Sequence, residues 1–159
     1  MRKKLIVALT LCSTIAYGQK YDVKADPFEQ IKVASQTALQ DNKHIFVMIG
    51  GDWCIWCRAF DKLSATDTTI QKIWNDSYEV VHVNYSKDNK NEAFLEAYQN
   101  PTRFGFPVFL ILDAKGNLLH TQNSAYLEDP SVKGHQPQKV AHFLKAWTPE
   151  AIHYQAPKQ

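Results

Sequence analysis

Two cysteines in the sequence are spaced for thiol chemistry. Cys54 and Cys57 lie three residues apart, after an apolar run (44–49) and two glycines (50–51) that break it. The run has the length and the β-branched and aromatic content of a strand, and apolar residues at helical spacing follow the cysteines. Cysteines three apart on a helix lie one turn apart on the same side, so their sulfurs can join with little backbone movement. This spacing at a strand-to-helix turn predicts a reversible redox pair.

The two cysteines have different predicted roles because they occupy different positions on the helix. Cys54, at the helix N-terminus, receives free backbone N–H groups and the positive end of the helix dipole, which stabilise a thiolate. We therefore expect Cys54 to be the nucleophile. Cys57 lies further along the helix, is less exposed, and is expected to resolve the mixed disulfide by attacking it. No cofactor is required, because the pair itself carries the electrons.

Two other interpretations of the pair are open from its spacing alone. One is half of a zinc site, which needs two further ligands. The third cysteine, Cys12, lies in a predicted export signal, and the six histidines form no close pair. The other is a vestigial pair in a binding or chaperone-like module without redox turnover. We expect no metal, and we keep the binding module as the alternative function.

The N-terminus has the pattern of a secretory signal. Three basic residues (2–4) precede an apolar run (5–15), and the small residues at 16 and 18 fit cleavage before Gln19. Polar residues interrupt the run, so an uncleaved membrane anchor is the weaker interpretation. A lipoprotein modified at Cys12 is also weaker, because leucine precedes it instead of a small residue. The pattern predicts a periplasmic or secreted protein without stable membrane insertion after cleavage.

Removal of the signal changes the formal charge, which bears on the choice of partners. The full chain has 18 basic and 16 acidic residues, a net charge of +2. Without the three basic residues of 1–18 it has 15 basic and 16 acidic residues, a net charge of −1. The mature chain therefore shows no preference for nucleic acid or an anionic membrane. It also keeps only Cys54 and Cys57, so any disulfide within it must join these two.

At 159 residues, 45% of them hydrophobic, the chain is long enough for one buried core and too short for two ordinary domains. The order helix, strand, helix, strand, helix, strand, strand, helix needs a mixed sheet covered by helices on both faces, an α/β layout. The cysteines then lie at the C-terminal end of a strand, where open sheets place their sites.

The predicted segments are a helix from Pro27 to about 41–43 with Asp26 as N-cap, a strand from Ile45, the cysteine helix, a short helix capped by Thr66 or Asp67, a strand at 78–85, a helix at 89–99, a strand at 108–112, a turn at 113–117, a strand at 118–122, a loop at 123–136 and a helix from Pro137 to Trp147. The first helix is predicted to bury Phe28, Ile31, Ala34, Ala38 and Leu39.

The motif Trp53-Cys54-Ile55-Trp56-Cys57-Arg58, with Phe106-Pro107 opening another strand about fifty residues later, resembles the thioredoxin superfamily. Within it, Gly51-Asp52 before the motif makes the chain most similar to exported bacterial thioredoxin-like and thioredoxin-related proteins. The resemblance covers roughly residues 28–147. It implies a thioredoxin fold, thiol-disulfide exchange and a cis peptide bond before Pro107 that lies against the disulfide. It also implies that the backbone of Phe106 pairs with a bound polypeptide.

Two departures from the thioredoxin pattern affect the expected chemistry. Thioredoxins carry a buried aspartate six residues before the first cysteine, where it helps to move the proton of the resolving thiol; this chain has Met48 there. Proton handling must then depend on water or another group. Between the cysteines, Ile55-Trp56 offers no imidazole to stabilise a thiolate, so we expect no extreme oxidant and a narrower choice of partner. At least one of Trp53 and Trp56 is expected to form an exposed apolar rim.

For three other residues an ordinary structural explanation stands beside a functional one or replaces it. His82 alternates with valines on a predicted strand and is expected to be structural. Tyr126, in the loop before the last helix, either covers the site or is a solvated loop aromatic. Arg58 either tunes Cys57 electrostatically or is a solvated helix residue.

The sequence thus predicts a thiol-disulfide oxidoreductase that acts on protein thiols or disulfides in the periplasm or outside the cell. Its expected partners are client proteins and a redox partner that recharges the pair. The predicted substrate-binding residues are Trp53, Ile55, Trp56, Phe106 and Pro107. The predicted boundaries are a signal peptide at 1–18, an extended lead-in at 19–27, a thioredoxin-like domain at 28–147 and a C-terminal tail at 148–159.

Overall fold

Four strands form one mixed sheet at the centre of the computed structural model, which describes residues 20–131 and 133–153. The predicted signal peptide lies outside the described residues. The strands are β1 (His44–Gly50), β2 (Tyr78–Asn84), β3 (Val108–Leu112) and β4 (Leu118–Asn123). Their order is β2-β1-β3-β4, with β1 and β2 parallel and the other two pairs antiparallel. The predicted mixed sheet is confirmed.

Helices cover both faces of the sheet, as predicted. They are α1 (Pro27–Asp41), α2 (Ile55–Thr66), α3 (Thr68–Ser77), α4 (Glu92–Ala97), α5 (Pro137–Ala146) and α6 (Pro149–His153). Short 3₁₀ helices lie at Pro101–Phe104 and, within the loop predicted at 123–136, at Ser124–Leu127. Among the described residues, no helix is both long enough and apolar enough to cross a membrane.

The two faces of the sheet take alternate side chains of each strand, because successive residues of a strand point to opposite sides. The face covered by α2, α3 and α5, here called the cysteine face, buries Tyr21, Phe46, Met48, Cys54, Cys57, Phe60, Ile70, Ile73, Tyr78, Phe109, Ile111, Leu127, Val140, Phe143 and Leu144. The opposite face, covered by α1 and α4, buries Ile31, Ala34, Ala38, Ile45, Val47, Ile49, Val81, Val83, Phe94, Leu95, Val108, Leu110 and Leu112. All five residues of β3 are buried, which confirms the prediction of a strand enclosed on both sides.

The start of α1 follows the predicted capping pattern. The Asp26 carboxylate accepts a hydrogen bond from the Phe28 N–H at 2.8 Å, and Pro27 occupies the first helical position. The helix ends at Asp41 and is capped by Asn42, which is in the left-handed conformation. The predicted buried face was too wide: Phe28 and Leu39 are exposed, while the central stripe of Ile31, Ala34 and Ala38 is buried. A helix that lies flat on a sheet buries only a narrow stripe, and these two residues fall beside it.

Three segments differ from their predicted structure. The helix predicted at 89–99 is only the six residues of α4, because Asn91 before it and Gln99 after it have left-handed backbones. The lead-in turns instead of extending, with the Ala25 N–H donating to the Asp22 carbonyl. The predicted C-terminal tail begins with α6, whose Ala151 N–H donates to the Thr148 hydroxyl. The Thr-Pro pair at 148–149 that ends α5 also starts α6.

Candidate active site

The turn between β1 and α2 places Cys54 as the N-cap of α2. The Cys54 N–H donates to the Gly51 carbonyl at 3.0 Å, which closes the turn. The Cys54 Sγ accepts the Cys57 N–H at 3.1 Å, one of the free donors at the helix N-terminus. Such a donor, together with the helix dipole, stabilises negative charge on the sulfur. Cys54 is 4% exposed and Cys57 is 0% exposed, so Cys54 is the more accessible of the two.

The two cysteines are joined as a disulfide within the first turn of α2, with their Cα atoms 5.2 Å apart. Gly50, the last residue of β1, leaves room for this bond. A Cβ atom on Gly50 would lie 2.5 Å from the Cys57 Sγ, closer than non-bonded atoms approach. A glycine is therefore required where the strand passes under the disulfide.

Arg58 braces the same turn from outside. Its Nη1 donates to the Asp52 carbonyl at 2.6 Å, which ties the helix back to the segment before the cysteines. The side chain is exposed, and its observed contact is with the backbone. Arg58 therefore fixes the geometry of the turn.

Trp53 connects three segments that meet at the disulfide. Its indole Nε1 donates to the Tyr85 carbonyl at 2.7 Å, just beyond the end of β2. Its ring lies edge-on to Phe106, with centroids 5.4 Å apart, and Phe106 also packs against Tyr85 at 4.7 Å. The Phe106–Pro107 peptide bond is cis, as the resemblance implied. Of the predicted substrate-binding residues, Trp53 and Phe106 therefore touch directly.

The two residues between the cysteines point in different directions. Ile55 is 54% exposed, and Trp53 is similarly exposed at 56%. Trp56 is only partly buried and packs against the cysteine-face core, with its ring edge-on to His135 at 6.1 Å. The structure thus places Trp53 and Ile55 on the outer surface and turns Trp56 towards the loop before α5.

Met48, in the position of the thioredoxin aspartate, is fully buried, and the register of the sheet pairs it with His82 on β2. The His82 Nε2 lies 3.1 Å from the Asp61 Oδ1 on α2, and the Lys20 ammonium donates to the same carboxylate oxygen at 2.8 Å. Burial by itself raises the pKa of Asp61, but these two partners outweigh it and the pKa is lowered. The titratable side chains of this region therefore lie beside the Met48 position and not at it. His82, on the neighbouring strand β2, was expected to be structural, and it lies within hydrogen-bond distance of one of them, Asp61.

Tyr21 is a buried residue of this region that the sequence did not identify. It is 1% exposed, its ring lies edge-on to His82 at 5.2 Å, and no described residue forms a hydrogen bond with its hydroxyl. Burial, and then the negative charges of Asp61 and Asp52, raise the pKa of the Tyr21 hydroxyl far above its ordinary value. Its only sequence signal was an aromatic residue in a polar segment.

His135 is a second buried group that the sequence did not identify. The ring packs edge-on against Phe60 at 5.1 Å as well as against Trp56, and neither ring nitrogen has a hydrogen-bond partner among the described residues. Burial lowers the pKa of His135 to about 4. The ring is therefore neutral at ordinary pH.

Tyr126 and the metal alternative can be set against the same geometry. Tyr126 is 75% exposed, so it is a solvated aromatic in the described conformation. Within residues 20–131 and 133–153, no three or more histidine, cysteine, aspartate or glutamate side chains are grouped closely enough to hold a metal ion.

A strand-to-helix turn with a disulfide at the helix start, which contacts the cis-proline segment through Trp53 and Phe106, defines a thioredoxin-type site. Residues 26–114 match the model of a family described as thioredoxin-like. The match spans more than half of the chain, which belongs to this family and carries its redox-type cysteine pair as Cys54 and Cys57.

Relatives among characterised proteins are named thiol:disulfide interchange protein DsbD. That of Haemophilus influenzae (strain PittEE) is 30% identical over 113 residues, covering 68% of this chain and 19% of that protein. That of Colwellia psychrerythraea is 30% identical over 95 residues, covering 60% of this chain and 15% of that protein. The chain thus spans less than a fifth of the length of the relatives it matches.

Solved structures share the fold. A disulphide isomerase from Xylella fastidiosa Temecula1 superposes with a TM-score of 0.69 and 23% identity, covering 82% of this chain and 97% of that chain. A DsbH oxidoreductase superposes with a TM-score of 0.51 and 19% identity, covering 92% of this chain and 94% of that chain. These likenesses confirm the predicted thioredoxin fold.

Proposed function

We propose that the protein is a thiol-disulfide oxidoreductase that acts on protein thiols or disulfides through Cys54 and Cys57. The observation that carries the proposal is the asymmetry of the pair: the Cys54 sulfur accepts a helix N-terminal N–H, while the Cys57 sulfur is fully enclosed. The names of the DsbD relatives, thiol:disulfide interchange proteins, support the same chemistry.

In the proposed reaction, Cys54 forms the bond to the client and Cys57 breaks it. When the pair is reduced, the Cys54 thiolate attacks a client disulfide and one client sulfur leaves with the electron pair. Cys57 then attacks the Cys54 sulfur, the client is released as a dithiol, and the pair becomes a disulfide. In the reverse direction a client thiolate attacks Cys54 and Cys57 is the leaving sulfur.

We assign client contact to the surface formed by Trp53, Ile55 and Phe106, with Pro107 beside it. Exposed aromatic and aliphatic side chains next to a reactive sulfur favour apolar client segments over charged ones. The backbone at Phe106 would present a short stretch of strand pairing, as the family resemblance implies. Trp56, which is turned inward, would support this surface from behind.

We further propose a location and domain boundaries for the protein. We place the protein in the periplasm or outside the cell, with residues 1–18 removed, on the basis of the signal pattern. The thioredoxin-like domain at 28–147 would be followed by a tail that begins with α6. The mass of the exported protein tests this: a mature chain that starts at Gln19 is expected, and a retained segment 1–18 would contradict it.

Trapping of clients is the direct test of exchange. A Cys57→Ser variant lacks the resolving sulfur, so it should accumulate mixed disulfides with client proteins that reductant releases. The Cys54→Ser/Cys57→Ser double variant is the matched control and should trap nothing. Equal, noncovalent recovery of the same partners by both variants would instead favour a binding or chaperone-like module.

The direction of exchange is decided by the reduction potential of the pair. Equilibration of Cys54 and Cys57 with glutathione buffers gives that potential. A value near about −270 mV indicates a thioredoxin-like reductant, and a value near about −120 mV indicates an oxidant.

A further inference from the structure

The buried hydroxyl of Tyr21 and the sulfur of Cys57 both face Gly50, at the end of β1. A Cβ atom on Gly50 would be 2.5 Å from the Cys57 Sγ and 3.3 Å from the Tyr21 hydroxyl oxygen. The hydroxyl and the sulfur therefore border the same small space at the end of β1, which is too narrow for a methyl group. No described residue accepts a hydrogen bond from this hydroxyl while the disulfide is closed. A buried polar group without a partner is uncommon and requires an explanation.

We propose that the Tyr21 hydroxyl is the hydrogen-bond donor that stabilises the Cys57 thiolate whenever the Cys54–Cys57 disulfide opens. This assignment rests on the proposed exchange function, and it gives Tyr21 a positioning and stabilising role toward the resolving sulfur. The Tyr21 hydroxyl supplies a polar group for the resolving sulfur. Met48, which is fully buried at the thioredoxin aspartate position, does not supply one.

The surroundings of Tyr21 keep its hydroxyl a donor. Asp61 and Asp52 are the nearby negative charges, and with burial they hold the pKa of the hydroxyl far above the ordinary thiol value of about 8.5. His82 packs on the Tyr21 ring and is bonded to Asp61, which also accepts from Lys20. Because these groups are already paired with each other, the Tyr21 hydroxyl is left to donate its hydrogen bond into the space towards Cys57.

The step balances without an added reactant. A client thiolate attacks the Cys54 sulfur, the Cys54–Cys57 bond breaks, and its electron pair moves to the Cys57 sulfur. Tyr21 keeps its proton and donates a hydrogen bond to that new thiolate. In the opposite direction the same bond holds the Cys57 thiolate until it attacks the Cys54 sulfur of the mixed disulfide and displaces the client thiolate.

The test measures the pKa of the Cys57 thiol and needs no client. In a Cys54→Ser background, the ultraviolet absorbance of the Cys57 thiolate is titrated with and without Tyr21→Phe. The matching protein that also carries Cys57→Ser is subtracted, which removes the tyrosinate signal. A hydrogen bond to a charged group contributes enough that its loss should raise the Cys57 pKa by about one unit or more, a tenfold smaller thiolate fraction.

Tyr78→Phe is the matched control, because Tyr78 is another buried tyrosine of the cysteine face and its hydroxyl is bonded to the Leu144 carbonyl at 2.6 Å. Tyr78→Phe should destabilise the oxidised protein and leave the Cys57 pKa unchanged. Tyr21→Phe should leave the stability of the oxidised protein unchanged or raise it, because it removes an unpartnered hydroxyl and keeps the ring. Far-ultraviolet circular dichroism confirms that both variants are folded.

Two outcomes would overturn the inference: an unchanged Cys57 pKa in Tyr21→Phe, or an equal rise in Tyr78→Phe. Failure of the proposed function has a different signature. Clients trapped by Cys57→Ser without any effect of Tyr21→Phe would reject the role of Tyr21 alone. A raised Cys57 pKa in a protein that traps no client would reject the exchange function alone.

Discussion

The cysteine face and the opposite face of the sheet bury very different side chains. The opposite face is closed mainly by aliphatic residues, and no buried side-chain nitrogen or oxygen without a partner is found there among the described residues. The cysteine face stacks aromatic rings, with Phe46 near Phe60, Trp74, Tyr78, Phe109 and Phe143. It also holds buried polar atoms of Tyr21, Trp74 and His135 that have no hydrogen-bond partner in the described part of the chain.

This difference assigns stability and chemistry to different layers of one molecule. On the opposite face, aliphatic side chains at alternate strand positions are sufficient to hold α1 and α4, because these helices only need to pack against the sheet. Unpartnered polar groups are unfavourable in a core, so the Tyr21 hydroxyl should be stabilised in any state that gives it a hydrogen-bond partner. Opening of the disulfide creates such a state, because it adds a thiolate to the cysteine face.

The largest expected effect comes from removing an aromatic ring under the cysteine helix. Phe60→Ala deletes the α2 side chain that packs against Phe109 with ring centroids 4.4 Å apart and should lower the free energy of unfolding by about 3 to 5 kcal/mol. Leu110→Ala, in the opposite face, should cost about 2 to 5 kcal/mol. Urea unfolding measures both. Only Phe60→Ala should also change the reactivity of Cys54 with a thiol reagent; an equal change in Leu110→Ala would break the comparison between the faces.

Acidification should destabilise the cysteine face through His135. The pKa of this ring is lowered from 6.5 to about 4 by burial, so above pH 6.5 it is neutral in both the folded and unfolded chains. As the pH falls from 6.5 towards 4, only the unfolded chain takes up the proton, and stability falls by about 3 kcal/mol. His135→Leu should remove this part of the acid dependence in urea titrations at several pH values.

His142→Leu is the control for that experiment, because His142 is an exposed residue of α5. It should leave the acid dependence in place. If His142→Leu flattens the profile as much as His135→Leu does, the buried imidazole is not its source.

Substitution of an exposed aliphatic residue should change the exchange activity on the cysteine face and not on the opposite face, and it should leave stability unchanged on both. Ile55→Ala removes part of the proposed client surface and should slow exchange with protein clients about tenfold, the effect of roughly 1.4 kcal/mol of lost apolar contact. Leu39→Ala, on α1 and exposed to a similar extent, should have no effect on the rate. Rates with a small disulfide should be unchanged for both variants; a slower rate there for Ile55→Ala would indicate damage to the cysteine pair.

The smallest expected effect is the loss of a helix cap far from the cysteines. Asp26→Ala removes the acceptor for the Phe28 N–H and should lower stability by about 1 kcal/mol. Gln40→Ala, an exposed substitution in the same helix, should change stability by less than about 0.5 kcal/mol. Neither should alter the Cys57 pKa, so a shift in Asp26→Ala would show that the two faces are coupled.

Local patterns were sufficient to predict the parts of this fold that local physics determines. The cap and proline at the start of α1, the apolar run of β3 and the cysteine spacing each depend on a few consecutive residues. The helix predicted around α4 was too long because the preceding turn continues as far as Asn91, whose backbone is left-handed. That turn is held by side-chain hydrogen bonds to Asn89, which composition does not reveal.

The dependence on local patterns also explains which residues of the site could be predicted from the sequence. The cysteine pair is visible in the motif, whereas Tyr21 reaches it from a polar segment and meets His82 across 61 positions of the chain. His135 likewise approaches Phe60 from a distant loop. Such residues carry no periodicity of their own, and only the packing of the sheet brings them to the cysteines.

The disulfide lies entirely within one turn of α2, and this links unfolding to redox chemistry through a thermodynamic cycle. A crosslink between residues three apart closes a very short loop and restrains the unfolded chain much less than a long-range crosslink does. The difference in unfolding free energy between the oxidised and reduced proteins must equal the difference in reduction free energy between the folded and unfolded pair. Because loop closure contributes less to it than it would for a long-range crosslink, that difference is more sensitive to the interactions of the native site with its sulfurs.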